Sequence, residues 1–303
     1  CVPTEGLTEE PTEKDNTMAE SAVFEISKLD APLGAEIIGL DLRKELTATE
    51  IEMVLQAWYN NQVIVFRDQD LTPQQLVDFT GQLGEPGRPR MPSQAVHDVV
   101  PDLPPEVMIV SNIRIDGKPL GLPHDGEMWF HSDMCYTEFP HTATMLYAVE
   151  LPSTGGNTMF ADMYGAYDNL RPEVRDRLAG KKALQVHDYK RTERPGEDID
   201  LTKVGHYAHP VFISHPETGK MAIYVNRLMT ARIEGVDPAE SDALLEELFT
   251  VAEDRSLVYE HVWRPGDLVI WDNRCITHAR TDFPGDERRL LRRTTLVGTQ
   301  APS

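Results

Sequence analysis

Apolar positions along the 303-residue chain recur in two rhythms, one helical and one strand-like. From Phe24 the runs FEISKL and AEIIGL have the length and alternation of short strands. A helix is expected to open at Thr47, because Thr47 and Glu50 have capping-box spacing and Ile51, Val54, Leu55 and Trp58 recur at helical intervals. VIVFR, from Val63 to Arg67, reads as a buried strand. A second helix is expected from Thr72-Pro73, with Leu76, Phe79 and Leu83 on one side and Gly84 as its stop. The segment near 85–105 is rich in Pro, Arg and Asp and reads as a long loop. Beyond it come the strand-like runs EVMIVSNI, WFHSDMCY, TATMLYAV, ALQVHDY, KMAIYV, LVYEHVW, DLVIW and LRRTTLVG, with helical patterns near Arg171 to Leu178 and Pro238 to Val251. So many short strands predict a mainly β fold, a barrel or sandwich with helices flanking it.

Composition changes this picture at the edges. Residues 1–20 are polar and Pro/Thr/Glu-rich and cannot bury enough apolar surface to offset ordering entropy, so a disordered tail is expected ahead of a single domain over 21–303. Met18-Ala19-Glu20, just before the first apolar run, marks Met18 as the expected natural start. With 50 acidic against 29 basic residues and a formal charge of -21, no nucleic-acid backbone or anionic membrane surface is expected as a partner. No apolar run approaches the roughly 20 residues of a membrane span. Cys1, Cys135 and Cys275 are too scattered for a disulfide framework or a Cys-rich zinc site, which fits a reducing, cytoplasmic location.

Candidate chemistry begins in WFHSDMCY. As a strand, it would turn His131 and Asp133 to one face, about 6.6 Å apart along the chain. That arrangement suits two ligands of one metal, and equally a histidine hydrogen-bonded to a carboxylate. The other His-x-acid, His215-Pro216-Glu217, runs into Thr218-Gly219 and reads as a hairpin turn. A further imidazole is available in RPGDLVIWDNRCITHAR, where a polar segment after the strand Asp267 to Trp271 delivers His278. DERRLLRRTTLVG follows. In a strand from Arg288 onward, Arg289, Leu291 and Arg293 share one face, and Arg288, Leu290 and Arg292 the other. If the first face is the interior, its arginines need anions, because a buried unpaired guanidinium is very costly. Cys135 has the strand parity of the pair, but a thiolate at a redox metal invites oxidation, and it is not taken as a ligand.

Jointly, the HSD pair, the WDNRCITHAR segment and an arginine eleven residues after its histidine resemble the iron(II)- and 2-oxoglutarate-dependent dioxygenases of the taurine and chlorophenoxyacetate dioxygenase group. GAEIIGLDL, VIVFRDQDLTPQQL, ELPSTGGNTMFAD, HPVFISHPETGK and YVNRLMTARI resemble stretches of taurine dioxygenases in the same order, so the likeness spans most of the chain. The resemblance implies an α+β double-stranded β-helix, a distorted jelly roll braced by helices, with an insertion between the metal motifs. It implies Fe(II) held by His131, Asp133 and His278, three protein ligands leaving three positions for 2-oxoglutarate and dioxygen. Succinate and carbon dioxide would be released as a small organic anion is hydroxylated. It further implies that Arg289 clamps the distal carboxylate of 2-oxoglutarate and that Thr158 of GGNTMFAD donates a hydrogen bond to it. Arg293, fifteen residues past His278, would meet the anionic end of the substrate, with Tyr189 and Met229 on apolar pocket walls. The chain departs from the pattern in places. Phe130 separates Trp129 from His131, Glu127 stands where taurine enzymes carry an amide, and the loop around Arg88, Arg90 and Ser93 lacks their histidine and tyrosine. A carboxylate or sulfonate other than taurine, aryloxyalkanoates included, is therefore expected.

Two other classes use the same residues: a zinc hydrolase built on the triad, since zinc accepts two histidines and a carboxylate, and a non-catalytic barrel that binds a small anion through its arginines. A homo-oligomer stays open. Removal of residues 1–17 is expected to leave activity and melting temperature nearly unchanged; a drop of many degrees would show that the tail packs against the domain.

Overall fold

The computed structural model describes residues 24–89, 102–123, 126–188, 190–196 and 199–303, so the expected tail, Arg90, Ser93 and Tyr189 lie outside the described residues. Both expected capping boxes form. Thr47 accepts from the Glu50 amide while the Glu50 carboxylate takes the Thr47 amide at the start of the helix Ala48–Asn61. Thr72 and Gln75 do the same for the helix Pro73–Leu83.

These helices cover one face of an eight-stranded sheet. Its order is Glu25–Lys28, Ala35–Ile38, Val63–Phe66, Leu268–Asp272, Ala143–Glu150, Leu290–Leu296, Met108–Ser111 and Leu122–Pro123. Strand alternation divides its side chains between two cores. Ile64, Phe66, Met145, Tyr147, Leu268 and Ile270 pack with Val54, Trp58, Leu76 and Phe79 of the helices. Val63, Val65, Leu146, Ala148, Val269, Trp271 and Leu291 join the other core. Both faces are covered, which is why VIVF and LVIW are apolar throughout.

A four-stranded sheet, ordered Val258–His261, Thr158–Asp162, Ile276–Arg280 and Met128–His131, closes over that second core. It adds Phe160, Ala161 and Ile276, with the Phe160 ring 5.3 Å from Trp271. Between Asp162 and Val258 the chain forms the helices Met163–Asn169, Pro172–Leu178 and Pro238–Ala252, a three-stranded sheet and the hairpin Phe212–Ser214/Met221–Ile223. The fold is thus mainly β with helices outside the sheets. Among the described residues no helix is long and apolar enough to cross a membrane.

Three expectations change. WFHSDMCY is not one strand: Met128–His131 is extended, and the chain then turns, with Met134 at φ 59°. A local bond from the Thr137 amide to Met134 O at 2.9 Å and a long-range one from Ser132 Oγ to Asn273 O at 2.8 Å close this turn. Secondly, the short runs TMFAD and ITHAR are strands. Neither has enough alternating apolar residues to announce itself, and both are held by their neighbours in the sheet. Lastly, the arginine-bearing strand starts at Leu290 and not at Arg288. Arg292 donates to Leu71 O at 2.7 Å and lies over the Tyr147 ring, under the helical layer.

Burial pushes the His209 and His261 imidazoles below their usual value, and the Thr137 and Asp267 acceptors offset this only in part. As pH falls below about 6.5 the unfolded chain therefore takes up protons that the folded protein refuses, and stability is lost. The melting temperature of chelator-treated protein is expected to fall steadily from about pH 7 to about pH 5. A flat profile would contradict the burial of neutral imidazoles.

Candidate active site

His131 and His278 face each other across neighbouring antiparallel strands, paired in register with ring centroids 4.1 Å apart. The turn after His131 brings Asp133 back beside them. Its Oδ1 lies 4.0 Å from His131 Nε2 and its Oδ2 3.9 Å from His278 Nε2. One ligand atom from each of the three buried residues lies within 4.8 Å of the other two. Position in a turn, not strand parity, makes Asp133 a neighbour of His131. The Trp129 carbonyl can only accept, so His131 Nδ1 donates to it at 2.9 Å and Nε2 keeps its lone pair toward the cluster. Burial pushes both imidazoles down, His278 far, with His131 adding to the effect there. Burial alone would raise the Asp133 carboxyl, but Arg293 and the two imidazoles outweigh it and hold it well below the usual carboxylate range. Two neutral nitrogen donors and one carboxylate fit a divalent cation with coordination positions to spare.

A directed chain of hydrogen bonds holds the carboxylate. Trp271 Nε1 donates to Asn273 Oδ1 at 3.0 Å, Asn273 Nδ2 to Thr144 Oγ1 at 3.0 Å, and Thr144 Oγ1 to Asp133 Oδ2 at 2.5 Å. An indole N–H is a donor only, so every later step has its polarity set. Trp271 also packs on the His278 ring, 4.6 Å between centroids. Sequence reasoning missed Thr144 and Asn273; the available signal was a hydroxyl at an inward position of the apolar run TATMLYAV.

The arginines divide as strand parity predicts. Arg288 is exposed and bonds Glu150, and Arg292 lies on the outer face, whereas Arg289 is 2% exposed and Arg293 reaches Asp133. Arg289 Nη2 donates to Gly156 O at 3.0 Å, and its Nε has no acceptor among the described residues. Burial, reinforced by Arg280, pulls this guanidinium down to about 9. STGGNT forms its bed. Gly155 and Gly156 have φ 69° and 64°, and a Cβ on Gly156 would stand 2.9 Å from Arg289 Nε. Two residues on, the buried Thr158 Oγ1 accepts from Trp263 Nε1 at 3.1 Å. Arg293 Nη2 lies 2.9 Å from Asp133 Oδ2, so this guanidinium stands at a metal-ligand candidate, with its Nε still unpartnered among the described residues.

Met229 is buried with its sulfur 3.6 Å from Cys135 Sγ. Burial pushes the Cys135 thiol up to about 12, and Cys135 joins no ligand cluster among the described residues. Arg88 is exposed and paired with Glu106. His215 does sit in a hairpin turn, and it forms a second buried cluster with Asp272 and Cys275. There the ligand atoms are already engaged. Arg274 grips Asp272 at 2.8 and 2.7 Å, His215 Nε2 donates to Asp272 at 3.0 Å, and His215 Nδ1 accepts from the Glu217 and Thr218 amides.

The family model described as taurine catabolism dioxygenase TauD, TfdA family matches residues 25–295. The chain belongs to the TauD, TfdA dioxygenase family. Its class, 2-oxoglutarate-dependent dioxygenase, follows from that membership. This dioxygenase is 30% identical over 299 residues to the (S)-phenoxypropionate/alpha-ketoglutarate-dioxygenase of Sphingobium herbicidovorans, which covers 93% of the chain and 97% of the relative. It is 30% identical over 305 residues to the alpha-ketoglutarate-dependent sulfate ester dioxygenase of Pseudomonas putida, covering 93% and 92%. The crystal structure of a taurine dioxygenase from Burkholderia xenovorans matches with TM-score 0.74 at 32% identity, over 93% of each chain. That of AAD-2 in complex with Mn(II) and N-oxalylglycine matches with TM-score 0.77 at 28% identity, over 93% of this chain and 99% of that one.

Two predictions follow from the geometry of this dioxygenase. His278→Ala should abolish stoichiometric Fe(II) or Mn(II) binding, and Thr144→Val, which deletes the bond to Asp133, should weaken it about 10- to 100-fold, read by calorimetry; unchanged affinity in His278→Ala would remove that residue from the site. If Arg289 pairs with a carboxylate of 2-oxoglutarate, Arg289→Ala should weaken that cosubstrate by about two to four powers of ten, since breaking one side of a buried ion pair costs about 3–5 kcal/mol. Arg292→Ala should do far less, and equal effects from the two would overturn the division of the strand into inner and outer arginines.

Proposed function

We propose that this dioxygenase uses iron(II), held by His131, Asp133 and His278, and 2-oxoglutarate to hydroxylate a small organic anion, with release of succinate and carbon dioxide. The observation that carries the reading is Arg289, a guanidinium 2% exposed, without a carboxylate partner among the described residues. A buried cation of this kind asks for an anion, and Thr158, two residues after the Gly156 carbonyl that Arg289 bonds, accepts from Trp263 and so keeps its own proton to offer. Two facing sheets that bury a metal cluster and an anion pocket between them also support a double-stranded β-helix, the distorted jelly roll.

When bound, iron and 2-oxoglutarate together supply an oxidative decarboxylation that activates dioxygen for hydroxylation of a C–H bond. The chain's own residues do the rest. His131 and His278 offer neutral Nε2 atoms, and Asp133 offers a carboxylate whose Oδ2 is steadied by Thr144. Arg289 takes the distal carboxylate of 2-oxoglutarate through the planar fork that matches it. Trp271 and Phe160 close the inner wall against water.

Charge argues for the substrate class. Although the whole chain is strongly acidic, its interior sets Arg293 against Asp133 and buries Arg289 with no carboxylate partner among the described residues. One 2-oxoglutarate does not exhaust those cations together with the metal, and Arg293, beside Asp133, would meet an anionic substrate at the reacting centre through charge-assisted bonds. The relatives named for phenoxypropionate and for sulfate esters make an aryloxyalkanoate or a sulfur oxyanion the favoured substrate. A zinc hydrolase would leave Arg289 and Thr158 without a ligand, and family membership overturns both that reading and the non-catalytic barrel.

Succinate release under oxygen across a panel of organic acids tests the proposal, each responsive acid being compared with its neutral amide. The acid should be preferred, and Arg293→Ala should erase the preference and raise succinate release uncoupled from product, because a misplaced substrate no longer presents its C–H bond. Equal use of acid and amide by the parent enzyme would place the anion anchor elsewhere.

A further inference from the structure

We propose that Trp263 is a positioning residue for the cosubstrate, its indole N–H setting the direction in which the Thr158 hydroxyl donates. This rests on the reading of Arg289 and Thr158 as the 2-oxoglutarate pocket. Thr158 opens the strand Thr158–Asp162, paired with Arg280 on one side and His261 on the other. Its hydroxyl is buried, 3% exposed, and makes one hydrogen bond among the described residues, to Trp263 Nε1 at 3.1 Å. A hydroxyl has one proton and two lone pairs, and an indole N–H only donates, so Thr158 must be the acceptor in this bond. Its proton is left without an acceptor among the described residues.

Two residues earlier, Gly156 O receives Arg289 Nη2, and Arg289 Nε is likewise without an acceptor among the described residues. Both donors are tied to the short stretch Gly156 to Thr158, each short of an acceptor among the described residues, and because an unmet buried donor is costly the two together suit a carboxylate. Without the indole, the threonine hydroxyl would be free to rotate and to turn its lone pairs toward the ligand. Filling one lone pair from behind keeps the proton out of that direction and narrows this freedom before any ligand arrives.

The indole is itself held by His261, the register partner of Thr158 on the neighbouring strand. Its ring meets His261 edge-on, 4.5 Å between centroids at 81°. His261, 0% exposed, is wedged between Tyr259 OH at 2.7 Å and Asp267 Oδ2 at 3.1 Å, and Asp267 is in turn paired with Arg67. The orientation of the Thr158 donor is thus inherited from a buried ion network, which is what preorganisation of a binding group requires.

The test is calorimetric titration of 2-oxoglutarate into Mn(II)-loaded protein, with no turnover involved. Trp263→Phe, which keeps an aromatic ring and deletes the N–H, should weaken binding about tenfold, and Thr158→Val at least as much. The double variant should bind no more than about twofold weaker than Thr158→Val, because the indole acts through the hydroxyl and the two losses do not add. Parent-like affinity in Trp263→Phe, or losses that add in the double variant, would make Trp263 ordinary packing and overturn the inference. Thr158→Ser, which keeps the hydroxyl, should bind within about threefold of the parent. A loss there as large as in Thr158→Val would overturn the hydrogen-bond basis even if Trp263→Phe fails to fold. Arg289→Ala separates the two levels: parent-like binding in that variant sinks the pocket itself, whereas a large loss there beside an unaffected Trp263→Phe sinks only the role of the indole.

Discussion

Asp133 is an ionised carboxylate buried between two β-sheets, and the arrangement around it follows from what it costs to keep it there. An isolated charge in such a place would neutralise or pull the structure apart. Here Arg293 and Thr144 each bond Oδ2, and two neutral imidazoles stand about 4 Å away. Those partners come from the long strands Ala143–Glu150 and Leu290–Leu296 of one sheet and from Met128–His131 and Ile276–Arg280 of the other. The site can exist only where the sheets face each other, so the sandwich is a condition of the chemistry and not a neutral scaffold for it.

The same constraint runs in reverse at Arg289. There the fold buries a cation with no carboxylate partner among the described residues, and the chain gives up conformational ease to make room for it. Gly155 and Gly156 adopt left-handed backbone, and the second lies against the guanidinium stem, where a Cβ would collide. The adjacent threonine hydroxyl is filled from behind by an indole. One pocket therefore centres on a carboxylate, Asp133, with one guanidinium and two neutral imidazoles around it, while the other centres on a guanidinium with no carboxylate partner among the described residues. That asymmetry distinguishes a place for a cation from a place for an anion, and together they match the two requirements of a 2-oxoglutarate-dependent dioxygenase.

Indole groups recur behind both pockets. Trp271 opens the chain through Asn273 and Thr144 to Asp133, and Trp263 faces Thr158. A donor with no acceptor capacity is suited to this use, because it removes the ambiguity that a hydroxyl or amide would leave. Each tryptophan also buries a large apolar surface in the core, so a single residue joins packing to the direction of a hydrogen bond.

What the sequence determined by itself was whatever is encoded locally. Capping residues three apart set both N-terminal helices, apolar runs of four or five residues marked the strands buried on two faces, and strand parity separated Arg289 and Arg293 from Arg288 and Arg292. His131 and His278 were recognisable from motif and resemblance. Tertiary structure decided the rest, because it depends on register between distant segments. Asn273 and Thr144 are 129 residues apart, Trp263 and Thr158 are 105 apart, and nothing in either neighbourhood names the other. Asp133 was expected on the right side of its histidine for the wrong reason: a turn closed by its own hydrogen bonds and by Asn273 replaced the strand. The sequence placed Arg293 on the inner face but not its contact with Asp133, where a buried carboxylate and a nearby guanidinium attract each other strongly because water is excluded, a proximity that only the folded chain creates.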